Sequence, residues 1–187
     1  MPAPHRPDSS GGPERAALPD YWSFVEAAQR RISAEFPETD LTANLLFILL
    51  NGASSTVVYD FDSSIHRPRG GTWSSSRLMF TLWVTGPLAS HEVAALAGMS
   101  RSAVSSLTKT LEGKGLVRRE ASPHDGRSWI LHLTETGADW IRTTLIAQNE
   151  RESQWAGVLT EEEQQNLVEL LGKLMAQRKA IGARRRK

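Results

Sequence analysis

The stretch "ASHEVAALAGMSRSAVSSLTKTLEGKGLVRRE", residues 89–120, decides the fold. Its first part predicts a short helix capped by Ser90, because a serine hydroxyl can accept a hydrogen bond from the first backbone N–H groups. Gly98 is well placed as the left-handed residue that ends this helix. The residues predicted to face inward are Val93, Leu96 and Ala97.

A second helix is predicted after a tight turn. Ser100 is expected to cap it, and Gly113 and Gly115 are expected to end it. Its apolar residues recur three and four positions apart, which is the spacing of one helix face. These residues are Val104, Leu107 and Leu111. Two short helices joined by a tight, glycine-containing turn form a helix-turn-helix.

A β-hairpin is predicted next. The strand "LVRREA" (116–121) leads into the turn residues Pro123–Gly126, and the chain returns as "SWILHLT" (128–134). Alternate residues of the returning strand are expected on one apolar face. These are Trp129, Leu131 and Leu133. A two-stranded hairpin beside a helix-turn-helix is a wing.

The outward face of the second helix carries short hydroxyl side chains and two cations, with no acid and no bulky apolar residue. Such a face can lie against base edges in a major groove while the cations reach phosphate oxygens. A solvated helix face has the same composition, but the position of this helix in a helix-turn-helix favours DNA binding. The predicted contacts are Ser100, Arg101, Ser102, Ser105, Ser106 and Lys109.

The predicted wing adds further basic residues. Arg118 and Arg119 lie in its first strand, and Arg127 lies at its tip. A guanidinium is permanently charged and slender, so it suits the narrow, strongly negative minor groove. Asp125 would repel phosphate if it pointed outward, and we expect it to fold back onto an arginine of the wing. The alternative is that Asp125 and Gly126 are turn residues and that Arg127 is a solubilising charge.

The stretch from Gly86 to Gly137 resembles the winged helix-turn-helix of the MarR (multiple antibiotic resistance regulator) family. The resemblance rests on the helix-turn-helix, on "SPHDGRSWILHLTETG" and on the Asp-x-Arg pattern of Asp125 and Arg127. It implies a homodimeric bacterial or archaeal transcription factor that binds double-stranded DNA at palindromic operators. It also implies that Arg127 enters the minor groove and that Asp125 steadies the wing.

Apolar residues at helical spacing predict further helices on both sides of this region. The second of them is expected to end near Tyr59, before "HRPRGGT" from His66 breaks it, and the last carries a capping box of Thr160 and Glu163. The predicted fold class is mainly α with a small β-hairpin wing, a winged helix-turn-helix flanked by N- and C-terminal dimerisation helices. The predicted domains are a flexible tail at 1–20, dimerisation and scaffold helices at 21–65, the DNA-binding lobe at 73–135, C-terminal dimerisation helices at 136–182 and a basic tail at 183–187.

The flanking helices carry apolar stripes that have no evident use inside a small DNA-binding domain. We expect Trp22, Trp83 and Trp140 to lie in the core, and we expect an isologous homodimer to cover the remaining stripes. Such a dimer would hold two recognition helices about 34 Å apart, which is one turn of the duplex. In the last helix the inner side is predicted to be Leu167, Leu170, Leu171 and Leu174.

The composition is ordinary for a soluble globular protein, with 40% apolar and 23% charged residues among 187 and a formal net charge of +1. No run approaches the roughly 18 apolar residues that span a bilayer, and no signal-peptide pattern is present, so we expect a cytoplasmic protein without a membrane partner. Cysteine is absent, which excludes disulfides and thiolate ligands. Because paired histidines, nucleophile elbows and phosphate-binding loops are also missing, we expect no enzyme activity, metal or cofactor.

The predicted function is therefore a homodimeric, DNA-binding transcriptional repressor. The resemblance further implies a small aromatic or anionic effector, bound between the dimer helices and the DNA-binding lobe, that releases the DNA. The residues considered for its pocket are Trp22, Asp60, His66, Arg69 and Arg77. Two alternatives stay open at this point: a winged-helix module that binds protein, and a metal-responsive member of the same family.

Overall fold

The computed structural model describes residues 20–121 and 129–183. The α-helices of these ranges are α1 (Tyr21–Glu35), α2 (Leu41–Phe61), α3 (Trp73–Thr85), α4 (Ser90–Ala97), α5 (Arg101–Gly113), α6 (Glu135–Ala156) and α7 (Glu161–Gln177). A π-helical turn (Asp62–His66) and a 3-10 turn (Arg67–Arg69) follow α2. The strands are β1 (Leu88–Ala89), β2 (Val117–Ala121) and β3 (Trp129–Leu133). The chain divides into two compact units, Met1–Ser55 and Thr56–Lys187.

The first unit contains α1 and most of α2. Asp20 caps α1, because its carboxylate accepts hydrogen bonds from the backbone N–H groups of Ser23 at 3.0 Å and of Trp22 at 2.9 Å. These bonds hold the pKa of Asp20 below its ordinary value. Farther along, the Gln29 side-chain amide donates to Asn44 at 2.8 Å and ties the two helices together.

Most large apolar side chains of α1 are exposed in the single chain. Val25 is buried, whereas Trp22 is 63% exposed. The prediction that Trp22 belongs to the core is therefore wrong for the single chain, because the stripe of α1 is wider than the surface that α2 covers. Phe24 and Phe36 are exposed as well.

The predicted end of the second helix near Tyr59 is too early, because α2 passes directly into the π-helical and 3-10 turns, but the break predicted within "HRPRGGT" is found. The helical backbone ends only at Gly70, whose φ of 72° lies in the left-handed region.

Asp62 fixes the junction between these turns and α3. Its carboxylate accepts a hydrogen bond from the Arg67 guanidinium at 2.7 Å and another from the backbone N–H of Trp73 at 2.6 Å. Thr72 caps α3 through a capping box with Ser75. The start of α3 is therefore held by three polar side chains.

The helical stretch Leu41–Arg69 is long and apolar enough to cross a membrane, judged by length and composition alone. This corrects the expectation that no segment approaches that length. Core helices of soluble proteins meet the same criterion. Asp60, within this stretch, accepts two hydrogen bonds from the Arg151 guanidinium, at 2.7 and 2.9 Å.

The core of the second unit lies between α3, α4, α5, α6 and the sheet. Three predictions about inward residues need correction. Trp83 is 44% exposed, because its neighbour Leu82 takes the core-facing position of α3. Leu96 is 64% exposed and borders a cavity instead of the core. Trp129 is 45% exposed, beyond the edge of the core. The fully buried apolar side chains include Leu78, Met79, Val93, Val104, Leu111, Val117, Leu131 and Ile141.

Other inward predictions are confirmed. Ala97 is buried, and Leu107 and Leu133 are partly buried against the core. Trp140 also packs against the core, and its indole N–H donates to the backbone carbonyl of Arg69 at 2.9 Å.

The sheet has three antiparallel strands in the order β1-β3-β2. The predicted hairpin is present as β2 and β3, with Arg119 opposite Leu131 and Ala121 opposite Trp129. β1 was not predicted, because two residues are too few to show an alternating pattern. It pairs with Ile130 and Leu131 of β3 and connects the hairpin to the start of α4.

The start of α6 is fixed onto the turn between α5 and β2. The Thr134 hydroxyl donates to the Gly115 carbonyl at 2.6 Å, and the Gly137 backbone N–H donates to Thr134 at 3.0 Å. A Cβ atom on Gly137 would lie 1.9 Å from the Leu116 carbonyl oxygen. This close approach requires glycine.

α7 begins with the predicted capping box, in which the Glu163 carboxylate accepts from the Thr160 backbone N–H at 2.8 Å. No residue of α7 is buried in the single chain. The predicted inner side is thus exposed, which corrects that expectation for one chain. The exposed residues are Leu167, Leu170, Leu171 and Leu174.

Candidate nucleic-acid interface

α4, a short turn and α5 form the helix-turn-helix. Ala89 caps α4 instead of Ser90, because the Glu92 carboxylate accepts from the Ala89 backbone N–H at 3.2 Å. Gly98 has a φ of 63°, the left-handed conformation that the sequence predicts. Ser100 caps α5 as predicted, and its hydroxyl accepts from a backbone N–H of the first turn at 3.2 Å.

One face of α5 anchors the helix, and the opposite face is free. Val104 and Leu111 are buried, and the buried Thr108 hydroxyl donates to the Val104 carbonyl at 2.7 Å. No buried polar atom of this face is left unpaired. The residues predicted to contact DNA are exposed on the other side: Arg101, Ser102, Ser105, Ser106 and Lys109.

Two of these residues are cations without an intramolecular ion pair. Within residues 20–121 and 129–183, no carboxylate lies in salt-bridge range of Arg101 or Lys109. Both charges are therefore available to an external anion. Ser100, by contrast, is half-buried, and its hydroxyl contacts Ser102 at 3.0 Å as well as capping the helix.

The two predicted arginines of β2 point to opposite faces of the hairpin. The Arg118 guanidinium lies 3.2 Å from Glu120 and 3.1 Å from the His132 Nδ1 atom. Arg119 lies 3.0 Å from Glu112, in the last turn of α5. Both arginines have carboxylate partners, unlike Arg101. Asp125 and Arg127 lie outside the described residues, and their roles stay predictions.

A cavity of about 690 Å³ lies beside the helix-turn-helix, between α3, the end of α4 and α6. Apolar side chains dominate its lining, and Arg77 and Glu152 carry its charges. The Arg77 guanidinium donates to the Ala97 carbonyl at the end of α4. Glu152 accepts from Gln148 at 2.7 Å. The lining residues are Trp73, Ser76, Arg77, Phe80, Thr81, Val84, Thr85, Leu96, Ala97, Leu145, Gln148 and Glu152.

Of the five residues predicted to border an effector pocket, Arg77 lines this cavity. Asp60 is already saturated by two hydrogen bonds from Arg151 and by one from the Trp155 indole N–H at 2.8 Å. Hydrogen bonds from Arg151, then from Trp155, lower the pKa of the Asp60 carboxyl group. Asp60 joins α2 to α6 and has little capacity left for a ligand.

The remaining three predicted pocket residues are not brought together. His66 is completely buried beneath Trp73, with ring centroids 5.6 Å apart, and neither ring nitrogen has a hydrogen-bond partner among the described residues. Burial lowers the pKa of His66. Arg69 donates to the backbone carbonyl of Ile65 at 3.1 Å, and Trp22 belongs to the first unit.

Apart from Arg77, the cavity residues of α3 were not predicted from the sequence. Arg77, Phe80 or Thr81, and Val84 recur three or four positions apart, which marks a second helix face beside the core face of Leu78 and Leu82. A helix with two apolar faces covers something on each side, and this pattern could have predicted the cavity.

A metal site finds no support in the described part of the chain. No group of three or more histidine and acidic side chains in residues 20–121 and 129–183 could hold a metal ion.

Residues 72–129 match the family model described as the MarR family. The HTH-type transcriptional regulator YwaE of Bacillus subtilis (strain 168) is 29% identical over 103 residues, which are 55% of this chain. The chain spans 60% of the length of YwaE.

Solved structures share the fold. Sco3205, a MarR family transcriptional regulator from Streptomyces coelicolor crystallised in complex with DNA, has a TM-score of 0.65 and 27% identity, and the match covers 72% of this chain and 88% of Sco3205. NadR, in complex with 4-hydroxyphenylacetate, has a TM-score of 0.57 and 27% identity over 68% of this chain and 89% of NadR. Residues 72–129 thus match the MarR family, and the chain has the winged helix-turn-helix fold of the MarR family transcriptional regulators to which it is similar.

Proposed function

We propose that this protein is a homodimeric repressor that binds a palindromic operator through α5 and the wing. The outward face of α5 carries the proposal. It presents hydroxyls and two cations, Arg101 and Lys109, that have no ion-pair partner among residues 20–121 and 129–183, on a helix whose other face is anchored in the core. Short side chains let the helix approach base edges, while cations at both ends reach phosphate oxygens. The DNA complex of Sco3205, at 27% identity, supports this mode of binding.

The dimer is supported by apolar surface that one chain leaves uncovered. α7 exposes its leucine stripe, and α1 exposes Trp22 and Phe24. A two-fold dimer would cover such self-complementary stripes and present two α5 helices to successive major grooves. A regulator bound across a promoter in this way excludes polymerase, which is why we propose repression. The same reasoning places the protein in the cytoplasm, with the chromosome.

Footprinting of the gene's own upstream region tests the proposal. We expect a protected site with two-fold symmetric half-sites about one helical turn apart. Binding-site selection with Ser105→Ala should return an altered consensus sequence, because this side chain faces the bases, whereas Lys109→Gln should weaken binding without changing the consensus, because Lys109 reaches the phosphate backbone. Thr110→Ala, an exposed hydroxyl change on the same helix, is the matched control. Absence of binding to any duplex in dilute salt would favour a protein-binding module instead.

We also propose that a small aromatic acid occupies the cavity and weakens DNA binding. The cavity volume suits one small molecule, its walls are mainly apolar, and Arg77 can pair with a carboxylate. The 4-hydroxyphenylacetate complex of NadR supports this class of ligand. Because Arg77 also holds the Ala97 carbonyl, a bound anion would compete for it just before the turn that leads into α5.

A thermal-shift titration with 4-hydroxyphenylacetate tests the ligand class. Binding should raise the unfolding midpoint of the wild type, and Arg77→Met should abolish the shift by removing the cation. Arg142→Met is the matched control, because Arg142 forms an exposed ion pair with Asp139 at 2.6 Å, away from the cavity. An equal shift in both variants would reject the proposed role of Arg77.

A further inference from the structure

Arg119 is held on two sides inside the protein. It lies opposite Leu131 in the sheet, and directly opposed residues share one face, so Arg119 projects from the core-facing side towards α5. Its Nε atom lies 3.0 Å from the Glu112 carboxylate, and its guanidinium carbon lies 5.0 Å from the centre of the Trp129 ring. This arginine of β2 therefore contacts both the last turn of α5 and β3.

This arrangement suits arginine and not lysine. A guanidinium is planar, so its face can lie on an indole while its edge bonds a carboxylate. An ammonium could keep the ion pair but not the same stacking contact. Both members of the pair are only about one-third exposed, at 34% for Arg119 and 33% for Glu112. The pair is thus more ordered than a fully solvated surface ion pair.

The same contacts reduce the suitability of Arg119 as a phosphate ligand. Its charge is matched by Glu112, so binding a phosphate would require it to leave a carboxylate and an aromatic face. Arg101 and Lys109 have no such partner among the described residues. The charge pattern separates cations that are free for DNA from a cation that is committed to the fold.

We infer that Arg119 is a positioning residue that sets the angle between the recognition helix and the wing through Glu112 and Trp129. The inference rests on the proposed function and assigns Arg119 a different role from the DNA contact that the sequence predicts. The wing hairpin extends from the core through β2 and β3. The contacts of Arg119 with Glu112 and Trp129 lie where the base of this hairpin meets α5. A fixed angle lets α5 and the wing engage one duplex together without reordering on binding.

The test measures duplex affinity across a potassium chloride series, using the full-length protein and a duplex recovered by binding-site selection. Arg119→Gln should weaken specific binding about tenfold, with a salt slope that stays within about 0.3 of the wild type, because no phosphate contact is lost. Glu112→Gln should also weaken specific binding, although removal of an acid near DNA would by itself strengthen it. The double variant should be no weaker than either single variant.

Two further variants keep the test decisive. Arg119→Lys retains the charge but not the stacking contact, so we expect it to remain weakened. Lys109→Gln serves as the reference for a phosphate contact and should lower the slope by about 0.9. Circular-dichroism melting identifies any variant that fails to fold, and in that case Arg119→Lys and Glu112→Gln carry the test.

The results that would overturn this inference differ from the result that would overturn the proposed function. A slope lowered by about 0.9 in Arg119→Gln, with restoration by Arg119→Lys and tighter binding by Glu112→Gln, would make Arg119 a phosphate contact and overturn the inference. Wild-type affinity in both single variants, or additive losses in the double variant, would overturn it as well. Failure of the wild type to bind any duplex would remove the proposed function together with this inference.

Discussion

At the scale of single residues, one glycine allows α6 to pack against the predicted DNA-binding lobe. Gly137 lets α6 approach the backbone where the chain leaves the α5–β2 turn, at a distance that no side chain allows. The packing of α6 on the lobe therefore depends on the absence of one methyl group. Leu116 contributes this contact through its carbonyl and not through its side chain, so no hydrophobic pattern signals it.

We expect Gly137→Ala to lower the free energy of unfolding by about 3 kcal/mol, because the methyl group meets rigid backbone. Gly113→Ala is the matched control, since a Cβ atom there meets no other atom within 4 Å. It should leave stability unchanged or raise it by about 0.5 kcal/mol. Urea denaturation measures both changes, and equal effects would contradict the packing argument.

At the scale of elements, the sequence predicts regular helices better than their junctions. Periodicity located α3, α5 and both strands of the wing, because each buries a continuous face. It failed at the π-helical turn, where a local widening of the helix depends on tertiary contacts of Asp62. It failed for β1 as well, whose two residues become a strand only by pairing with β3. The capping residues Ser100 and Thr160 were predicted correctly, because their bonds are local, whereas Ser90 is not the N-cap of α4.

The π-helical turn also gives the protein a pH-dependent stability. His66 is buried there, neither ring nitrogen has a hydrogen-bond partner in the part of the chain that the structure describes, and burial lowers its pKa below the ordinary 6.5. The nearby Asp62 opposes this shift and Arg69 adds to it. As the pH falls below about 6.5, His66 binds a proton more readily in the unfolded chain than in the folded chain. The stabilisation that neutral His66 contributes is therefore complete above about pH 6.5 and is lost as the pH falls.

We expect the free energy of unfolding to fall by up to about 1.4 kcal/mol between about pH 7.5 and pH 5.5 on account of His66. His66→Phe should remove this part of the pH dependence, because the ring no longer titrates. His91→Phe, at an exposed position, should keep the wild-type dependence. Parallel pH profiles for the wild type and His66→Phe would show that His66 is not the titrating group.

At the scale of the whole molecule, the apolar stripes show what a single chain leaves incomplete. The sequence assigned the leucines of α7 to an inner side, and one chain exposes them. Apolar periodicity indicates that a helix face will be covered, but it does not indicate whether the same chain or a partner chain covers it. The same limit explains Trp22 and Trp83, which the sequence placed in the core. The predicted DNA contacts on α5 are exposed, as expected. The residues predicted to bind an effector were chosen without knowing which helices lie next to each other.

If α7 forms part of a dimer, charges on its leucine stripe should separate the subunits. We expect sedimentation equilibrium of the wild type to give twice the 20.7 kDa of one chain. Leu170→Lys with Leu174→Lys should give a monomer, because each buried ammonium would lack a partner. Gln165→Lys, on the opposite side of α7, should remain dimeric. A monomeric wild type at micromolar concentration would reject the dimer.

The salt dependence of duplex binding tests the central claim most directly, namely that the free face of α5 holds DNA. The wild type and the double variant Arg101→Gln/Lys109→Gln should both be titrated with the selected duplex over a salt series. The account predicts that the double variant loses about 1.8 from the slope of log affinity against log salt concentration, because two phosphate contacts are gone. An unchanged slope in the double variant would contradict this claim. Failure of the wild type to bind duplex DNA in dilute salt would contradict it as well.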